Sequence, residues 1–297
     1  MNYQEINRAI LEHRDINESL VRKDAVFYKY LLNNKVAYYY ANNLSKNGNE
    51  TERAIIERGR EFTQKYLKTL EALVSLCKDN HIDFLLFKTH KYIDEVVDGD
   101  IDLLVKPEDF QRFLQVFSAN GFDTEEDEPQ KGKCEKEGLV EIEPHVNISW
   151  RTDTFLTSEY LWQNVSTIHY GTIEVKACSP EVELLAAAGE FYFSPEYIDL
   201  YRLKAAEQLL EDADLDLTIG DSKAQCLLNE YVALTKKVKE KCTTRKLPYF
   251  FSSLSLLAAV HTSLSIPQIA EIIFKNFYWK VRYAVIDKLP FTHDWHI

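Results

Sequence analysis

Asp100 and Asp102 flank Ile101 in the stretch Gly99-Asp100-Ile101-Asp102-Leu103-Leu104-Val105. On a strand, residues two apart share a face, so both carboxylates project to one side while Ile101, Leu103 and Val105 project to the other. Two neighbouring carboxylates on a rigid strand repel each other unless a cation lies between them. Mg2+ or Mn2+ suits such a pair, since these ions take oxygen ligands from one or two carboxylates and from substrate phosphates. A later stretch offers Glu141, Glu143 and His145, also two apart and on one face. A third carboxylate beside the aspartates would complete a centre for two metals about 3.5–4 Å apart. The candidate metal ligands are therefore Asp100, Asp102, Glu141 and Glu143. Ahead of the pair, Phe87-Lys88-Thr89-His90 ends an apolar run. A hydroxyl and backbone N–H groups at such a turn can hold phosphate oxygens, which makes Lys88, Thr89 and His90 candidate phosphate contacts.

The elements that must position these residues are legible from periodicity. Phe62, Tyr66, Leu70, Leu73 and Cys77 recur at three and four, which predicts one apolar helical stripe ending near Asp79-Asn80. Upstream, LVRKDAVFYKYLLNNKVAYYYANNL predicts one or two further helices, and residues 47–51 (NGNET) a turn. Ile82–Phe87 and Ile101–Val105 read as buried strands. Pro107 opens a helix through Phe110, Phe113, Leu114 and Phe117, closed by Asn120-Gly121 in the left-handed C-terminal position. The hydrophilic run 123–138 reads as an exposed hairpin or loop. Val140 to Trp150 alternates without a slip, which predicts one strand, with Pro144 pointing to an edge position or a bulge. Ile168 to Val175 predicts a last strand. Ser179 and Pro180, followed by Glu181 and Glu183, start a helix, and the remainder reads as helical. The expected class is α+β: a helical region 1–80, a small mixed sheet over 81–178, and a helical domain over 179–297.

Composition bounds the function. The 297 residues carry a net charge of −12, and residues 91–143 hold 16 acidic against 6 basic side chains. Such a chain is a poor general binder of polyphosphate backbones, so no long nucleic acid is expected as partner. Five widely spaced cysteines without CxxC fit neither a disulfide framework nor a thiolate zinc site. The N-terminus has no apolar signal region, so a cytoplasmic location is expected. The uncharged stretch Leu247–Ala270 contains serines, His261 and two prolines, and reads as buried helices rather than a membrane span.

Each acidic group also has a plainer reading. The aspartates could cap a loop edge, the glutamates could line a solvated strand face, and His145 could support a ligand or simply be polar surface. A resemblance weighs against these. The stretch FLLFKTHKYIDEVVDGDIDLLVKPEDFQRFLQVFSANGF, followed by Ile142-Glu143-Pro144-His145-Val146, resembles the uncharacterised nucleotidyltransferase family, of the DNA polymerase β type. That family tends to read LLKG, then DIDLLV, then GF, then a strand similar to v-D-l-H-w. The likeness covers 82–150 and extends toward NNKVAYYYANNL and SPEVELL. It implies a small mixed-sheet nucleotidyltransferase core with Asp100, Asp102 and Glu143 as catalytic residues. It also implies Mg2+ or Mn2+ as cofactor, an NTP such as ATP as substrate, and pyrophosphate release toward an unidentified acceptor. The turn departs from the family, with Lys88-Thr89 where Lys-Gly or Gly-Ser is usual. That departure favours an alternative, a catalytically impaired nucleotidyltransferase fold acting as a binding or regulatory protein.

Overall fold

The structure, a computed structural model, describes residues 2–16, 21–45, 48–88, 99–128, 130–150, 153–193, 197–213, 222–242 and 249–250. Helices α1 (Tyr3–Leu11), α2 (Ala25–Asn33), α3 (Ala37–Tyr39, continued by a π-helical turn Tyr40–Leu44) and α4 (Glu50–Asp79) come first. Strands β1 (Phe84–Leu86) and β2 (Ile101–Val105) lead to α5 (Phe110–Ala119), then β3 (Asp123–Glu128), β4 (Lys131–Glu135) and β5 (Ile142–His145). Next come β6 (Ile148–Trp150), β7 (Asp153–Leu156), α6 (Ser158–Gln163), β8 (Val165–Tyr170), β9 (Ile173–Cys178) and α7 (Pro180–Phe193). The chain continues through β10 (Tyr197–Ile198), α8 (Leu200–Asp212), α9 (Ser222–Cys242) and β11 (Tyr249–Phe250). Two compact units result, one drawn from Met1–Arg53, Ala187–Glu211 and Thr218–Ile297, the other from Ala54–Ala186 and Asp212–Leu217.

The second unit holds a seven-stranded mixed sheet in the order β3-β4-β5-β2-β1-β9-β8. β2 lies at its centre, antiparallel to β1 and parallel to β5. One face packs on helices. The predicted stripe of α4 buries Tyr66, Leu70, Leu73 and Cys77 in one cluster with Phe113 and Phe117 of α5 and with Ile101, Leu103 and Val105 of β2. α4 ends where expected, closed by bonds from His81 N–H to the Lys78 carbonyl and from Ile82 N–H to the Cys77 carbonyl. α5 closes likewise, with Gly121 at φ +81° and Phe122 packed on Phe117 with ring centroids 5.0 Å apart. Cys77, Cys134 and Cys178 are buried and unbridged.

The hydrophilic run 123–138 forms the hairpin of its two expected alternatives: β3 pairs with β4 as an edge strand, with Glu125 opposite Lys133, and its charge suits an edge that must not recruit further strands. Three local expectations change. Pro144 lies in an interior strand, between β4 and β2, rather than at an edge. Gly132 makes the room: a Cβ there would stand 3.2 Å from the Pro144 ring and 3.0 Å from Leu114. The single strand expected over Val140–Trp150 breaks after His145. Val146 N–H still donates to the Gln130 carbonyl in the β4–β5 register. The chain then bends at Asn147, whose side chain bonds the Gln130 side chain and Ser158 N–H, and β6 pairs with β7 instead. The strand expected over Ile168–Val175 is a hairpin, β8 with β9, turning at Gly171 in the left-handed conformation.

In the first unit, of the turn expected over 47–51, Glu50 and Thr51 already belong to α4, and Asn47 lies outside the described residues. Asn49 and Glu52 cap each other: Asn49 Oδ1 accepts from Glu52 N–H, and Glu52 Oε2 accepts from Asn49 N–H. The Glu52 carboxylate is fully buried and also accepts from Tyr28 Oη (2.8 Å) and Ser45 Oγ (2.6 Å), with Lys23 Nζ at 3.5 Å. Burial opposes its charge, yet the Ser45 and Tyr28 hydrogen bonds and the Lys23 charge hold its pKa below the usual carboxylate value. A depressed pKa stabilises the fold above the unfolded-state pKa and loses that contribution as pH falls through the folded one. Glu52→Ala should lower unfolding free energy by roughly 3 kcal/mol at pH 7, because buried hydroxyls lose their acceptor. Denaturant unfolding at pH 7 checks this, and a loss below about 0.5 kcal/mol, the range of an ordinary surface substitution, would contradict it.

The helical expectation for the C-terminal part is met by α8 and α9 but broken by the pairing of β10 with β11. Residues 251–297, including most of Leu247–Ala270, lie outside the described residues. Among the described residues, no helix is long and apolar enough to cross a membrane.

Candidate active site

The face of the sheet opposite the α4–α5 cluster carries the acidic residues. Gly99, at φ +146°, brings the chain into β2 through a conformation that side-chain-bearing residues rarely adopt. β2 and β5 then run parallel in a register that sets Asp102 beside Glu143 and Leu104 beside His145. Asp102 is only 3% exposed, although it sits on the polar face. Its Oδ1 lies 2.8 Å from Lys88 Nζ and 3.2 Å from His145 Nε2. Glu143 Oε2 lies 3.0 Å from Lys131 Nζ and 3.6 Å from His145 Nε2. The His145 ring is held edge-on by Phe87, with ring centroids 5.2 Å apart.

These contacts divide the charge unequally. Burial alone would raise the Asp102 pKa, but the Lys88 ammonium and the adjacent His145 imidazole more than reverse this and hold it at about 2. For Asp100, burial and the charges of Asp102 and Glu143 push the pKa up to about 6. Burial also works against the Glu143 charge, and the close approach of His145 and of the Lys131 ammonium brings its pKa below the usual value. The Glu141 pKa is raised by burial and by Glu143, against the opposing pull of Lys133. The centre thus keeps Asp102 and Glu143 ionised and makes Asp100 the group that protonates most readily.

Asp102, Glu143 and His145 each offer a ligand atom, all within 4.8 Å of one another. Two carboxylate oxygens and an imidazole nitrogen fit a divalent cation. Glu141, expected on the same face, instead pairs with Lys133 at 3.2 Å, and Lys133 also binds Glu135 at 2.9 Å. Lys88, two residues past β1, takes the left-handed conformation, at φ +60°. Its N–H donates to Glu183 Oε2 of α7 at 2.9 Å, while its ammonium turns to Asp102. Thr89 and His90 lie outside the described residues.

The family model described as an uncharacterised nucleotidyltransferase matches residues 27–192, more than half of the chain. The chain belongs to this family. The match takes in every strand of the nucleotidyltransferase sheet and both acidic strands of the site. Two solved structures are similar. One is the solution structure of the antibiotic-resistance factor ANT(2'')-Ia, 11% identical with a TM-score of 0.32, over 74% of this chain and 94% of that one. The other is the crystal structure of an antigenic nucleotidyltransferase-like protein from Paracoccidioides brasiliensis, 15% identical with a TM-score of 0.40, over 67% of this chain and 98% of that one. A search of curated proteins found no match.

Two members of this candidate site carry no signal in the sequence. Lys131 reaches Glu143 because β4 pairs with β5 in a register that sets Lys131 opposite His145. Glu183 reads as a helix-start acid, yet it is buried and holds the Lys88 backbone.

Proposed function

We propose that this chain is a metal-dependent nucleotidyltransferase, which moves a nucleoside monophosphate from an NTP to an acceptor and releases pyrophosphate. The observation that carries this reading is the in-register pairing of Asp102 with Glu143 on parallel strands, in a chain of nucleotidyltransferase family. Asp102 and Glu143 would hold a divalent cation, Mg2+ or Mn2+, with Asp100 as the further carboxylate of the centre. Such a cation, when bound, neutralises charge on the attacking and leaving oxygens. Glu143, kept ionised by His145 and Lys131, is placed to accept the proton of the acceptor hydroxyl or amine. The acceptor atom attacks the α-phosphorus in line, the bond to the bridging oxygen breaks, and pyrophosphate leaves with that electron pair. Lys88, with Thr89 and His90 in the same turn, would meet the β- and γ-phosphates. His145 Nε2, 3.2 Å from Asp102 and 3.6 Å from Glu143, would be the third ligand of that cation.

A second reading is a binding or regulatory protein on the same fold, favoured by the Lys88 ammonium on Asp102. Pyrophosphate release from each of the four NTPs, with Mg2+ or Mn2+ and pooled hydroxyl, amine and phosphate acceptors, separates the two. Metal-dependent release that Asp102→Asn abolishes supports the transferase. Metal-dependent NTP binding with no release from any NTP supports the binding protein.

A further inference from the structure

We propose that Lys88 and Lys131 are built-in counter-ions of the acidic centre, so that a divalent cation binds tightly only together with a triphosphate that receives the two displaced ammonium groups. The inference rests on the nucleotidyltransferase reading and goes beyond it by specifying how the two ligands are coupled.

The charges form a row across neighbouring strands. Lys88 follows β1, Asp102 is on β2, Glu143 on β5 and Lys131 on β4, and these strands are adjacent in that order. Each carboxylate has its own lysine, at 2.8 Å on Asp102 and at 3.0 Å on Glu143. The Asp102 side chain is 2% exposed, so its pairing is screened little by water. An exposed lysine pair would be worth little and could be ignored. This one stands where a cation on Asp102 must stand, and like charges a few ångströms apart in a low dielectric exclude each other.

The Lys88 backbone is anchored by its N–H bond to Glu183, so displacement falls to its flexible side chain. A displaced ammonium needs an anion in exchange. Asp100, Glu141 and Glu143 already serve the same centre or Lys133, and the Glu183 carboxylate already accepts the Lys88 backbone N–H. The β- and γ-phosphates supply that anion. Metal and triphosphate then raise each other's affinity by the same factor, as linkage requires.

Calorimetric titration of the full chain with Mn2+ tests this, alone and with a non-hydrolysable ATP analogue. Wild-type protein should bind Mn2+ weakly alone, and at least about tenfold more tightly with the analogue, the scale on which a nearby charge shifts a carboxylate. Lys88→Met should bind Mn2+ alone about tenfold more tightly than wild type and lose most of the analogue's effect. Lys131→Met should move in the same direction, and Lys88→Arg, which keeps the charge, should stay near wild type. Circular dichroism checks that each variant is folded, and Lys131→Met serves if Lys88→Met is not. Mn2+ affinity unchanged or lowered in the folded lysine-to-methionine variants overturns the proposal. Asp102→Asn separates the failures. If it abolishes Mn2+ binding while Lys88→Met matches wild type, the counter-ion idea falls and the metal site stands. If it leaves Mn2+ affinity intact, or wild type binds no Mn2+ even with the analogue, the site reading falls and takes the proposal with it.

Discussion

Glu143→Gln should lower metal-dependent NTP turnover by about a thousandfold, a loss of roughly 4 kcal/mol in transition-state stabilisation, while Glu141→Gln should cost less than about tenfold. The two residues share a strand face and lie about 6.6–6.8 Å apart along the chain, too far to serve one metal equally. The register decides between them. Glu143 sits beside Asp102, within ligand distance of it and of His145. The Glu141 carboxylate lies on Lys133, which it shares with Glu135. In the proposed mechanism, replacing Glu143 removes a negative ligand and a proton acceptor together, and the amide leaves Lys131 facing a neutral group. Pyrophosphate release measured in parallel for both variants checks the difference. A dead Glu141→Gln beside an active Glu143→Gln would show the assignment to be inverted. Two active variants would move the chain to the binding-protein reading.

The two aspartates should respond oppositely when neutralised in metal-free protein. From the sequence, removing either of two repelling carboxylates is expected to relieve strain and raise stability slightly. The geometry restricts that expectation to Asp100. Burial and the charges of Asp102 and Glu143 raise its pKa to about 6, so between about pH 4 and pH 6 the folded state binds the proton that the unfolded state has released. Stability is therefore fully present below the unfolded pKa and falls as pH rises through the folded one. At pH 7.5, with chelator present, Asp100→Asn should gain on the order of 1–3 kcal/mol, and at pH 4 almost nothing. Asp102 has the reverse sign. Lys88 and His145 hold it at about 2 despite burial, so its charge stabilises the fold above pH 4 and that contribution is lost only in strong acid. Asp102→Asn should cost roughly 3 kcal/mol at pH 7.5, since it leaves the Lys88 ammonium facing a neutral amide. Denaturant unfolding of the three proteins at both pH values reads the signs directly. A loss of stability in Asp100→Asn at pH 7.5 would contradict the charge distribution described for the centre.

Local pattern made part of this legible. The Asp-Ile-Asp strand, the apolar stripe of α4 and the Asn120-Gly121 stop each depend on residues within a few positions, and each stands where periodicity puts it. Partner choice was not legible. Alternation from Val140 to Trp150 reports which side chains share a face, and it continues unbroken through the bend at Asn147, beyond which β6 pairs with β7. Pro144 signals an edge by its missing N–H, but an interior place is open to it because Gly132 on the neighbouring strand has no side chain. Lys131 joins the site only through the pairing of two strands, and Glu183 only through the packing of a helix distant in sequence. Lys88 was legible as a polar residue at a strand end, and the direction of its ammonium was not. It could have met solvent or phosphate, and the left-handed turn at φ +60° sends it to Asp102.

The most direct test of the transferase centre is a crystal structure with Mn2+ and a non-hydrolysable ATP analogue, read by the anomalous scattering of manganese. The account predicts an anomalous peak in contact with the Asp102 and Glu143 carboxylates, with the triphosphate bound to the same ion and Lys88 Nζ turned from Asp102 to a phosphate oxygen. Manganese bound elsewhere, or a nucleotide seated away from this face of the sheet with Lys88 still on Asp102, would contradict it.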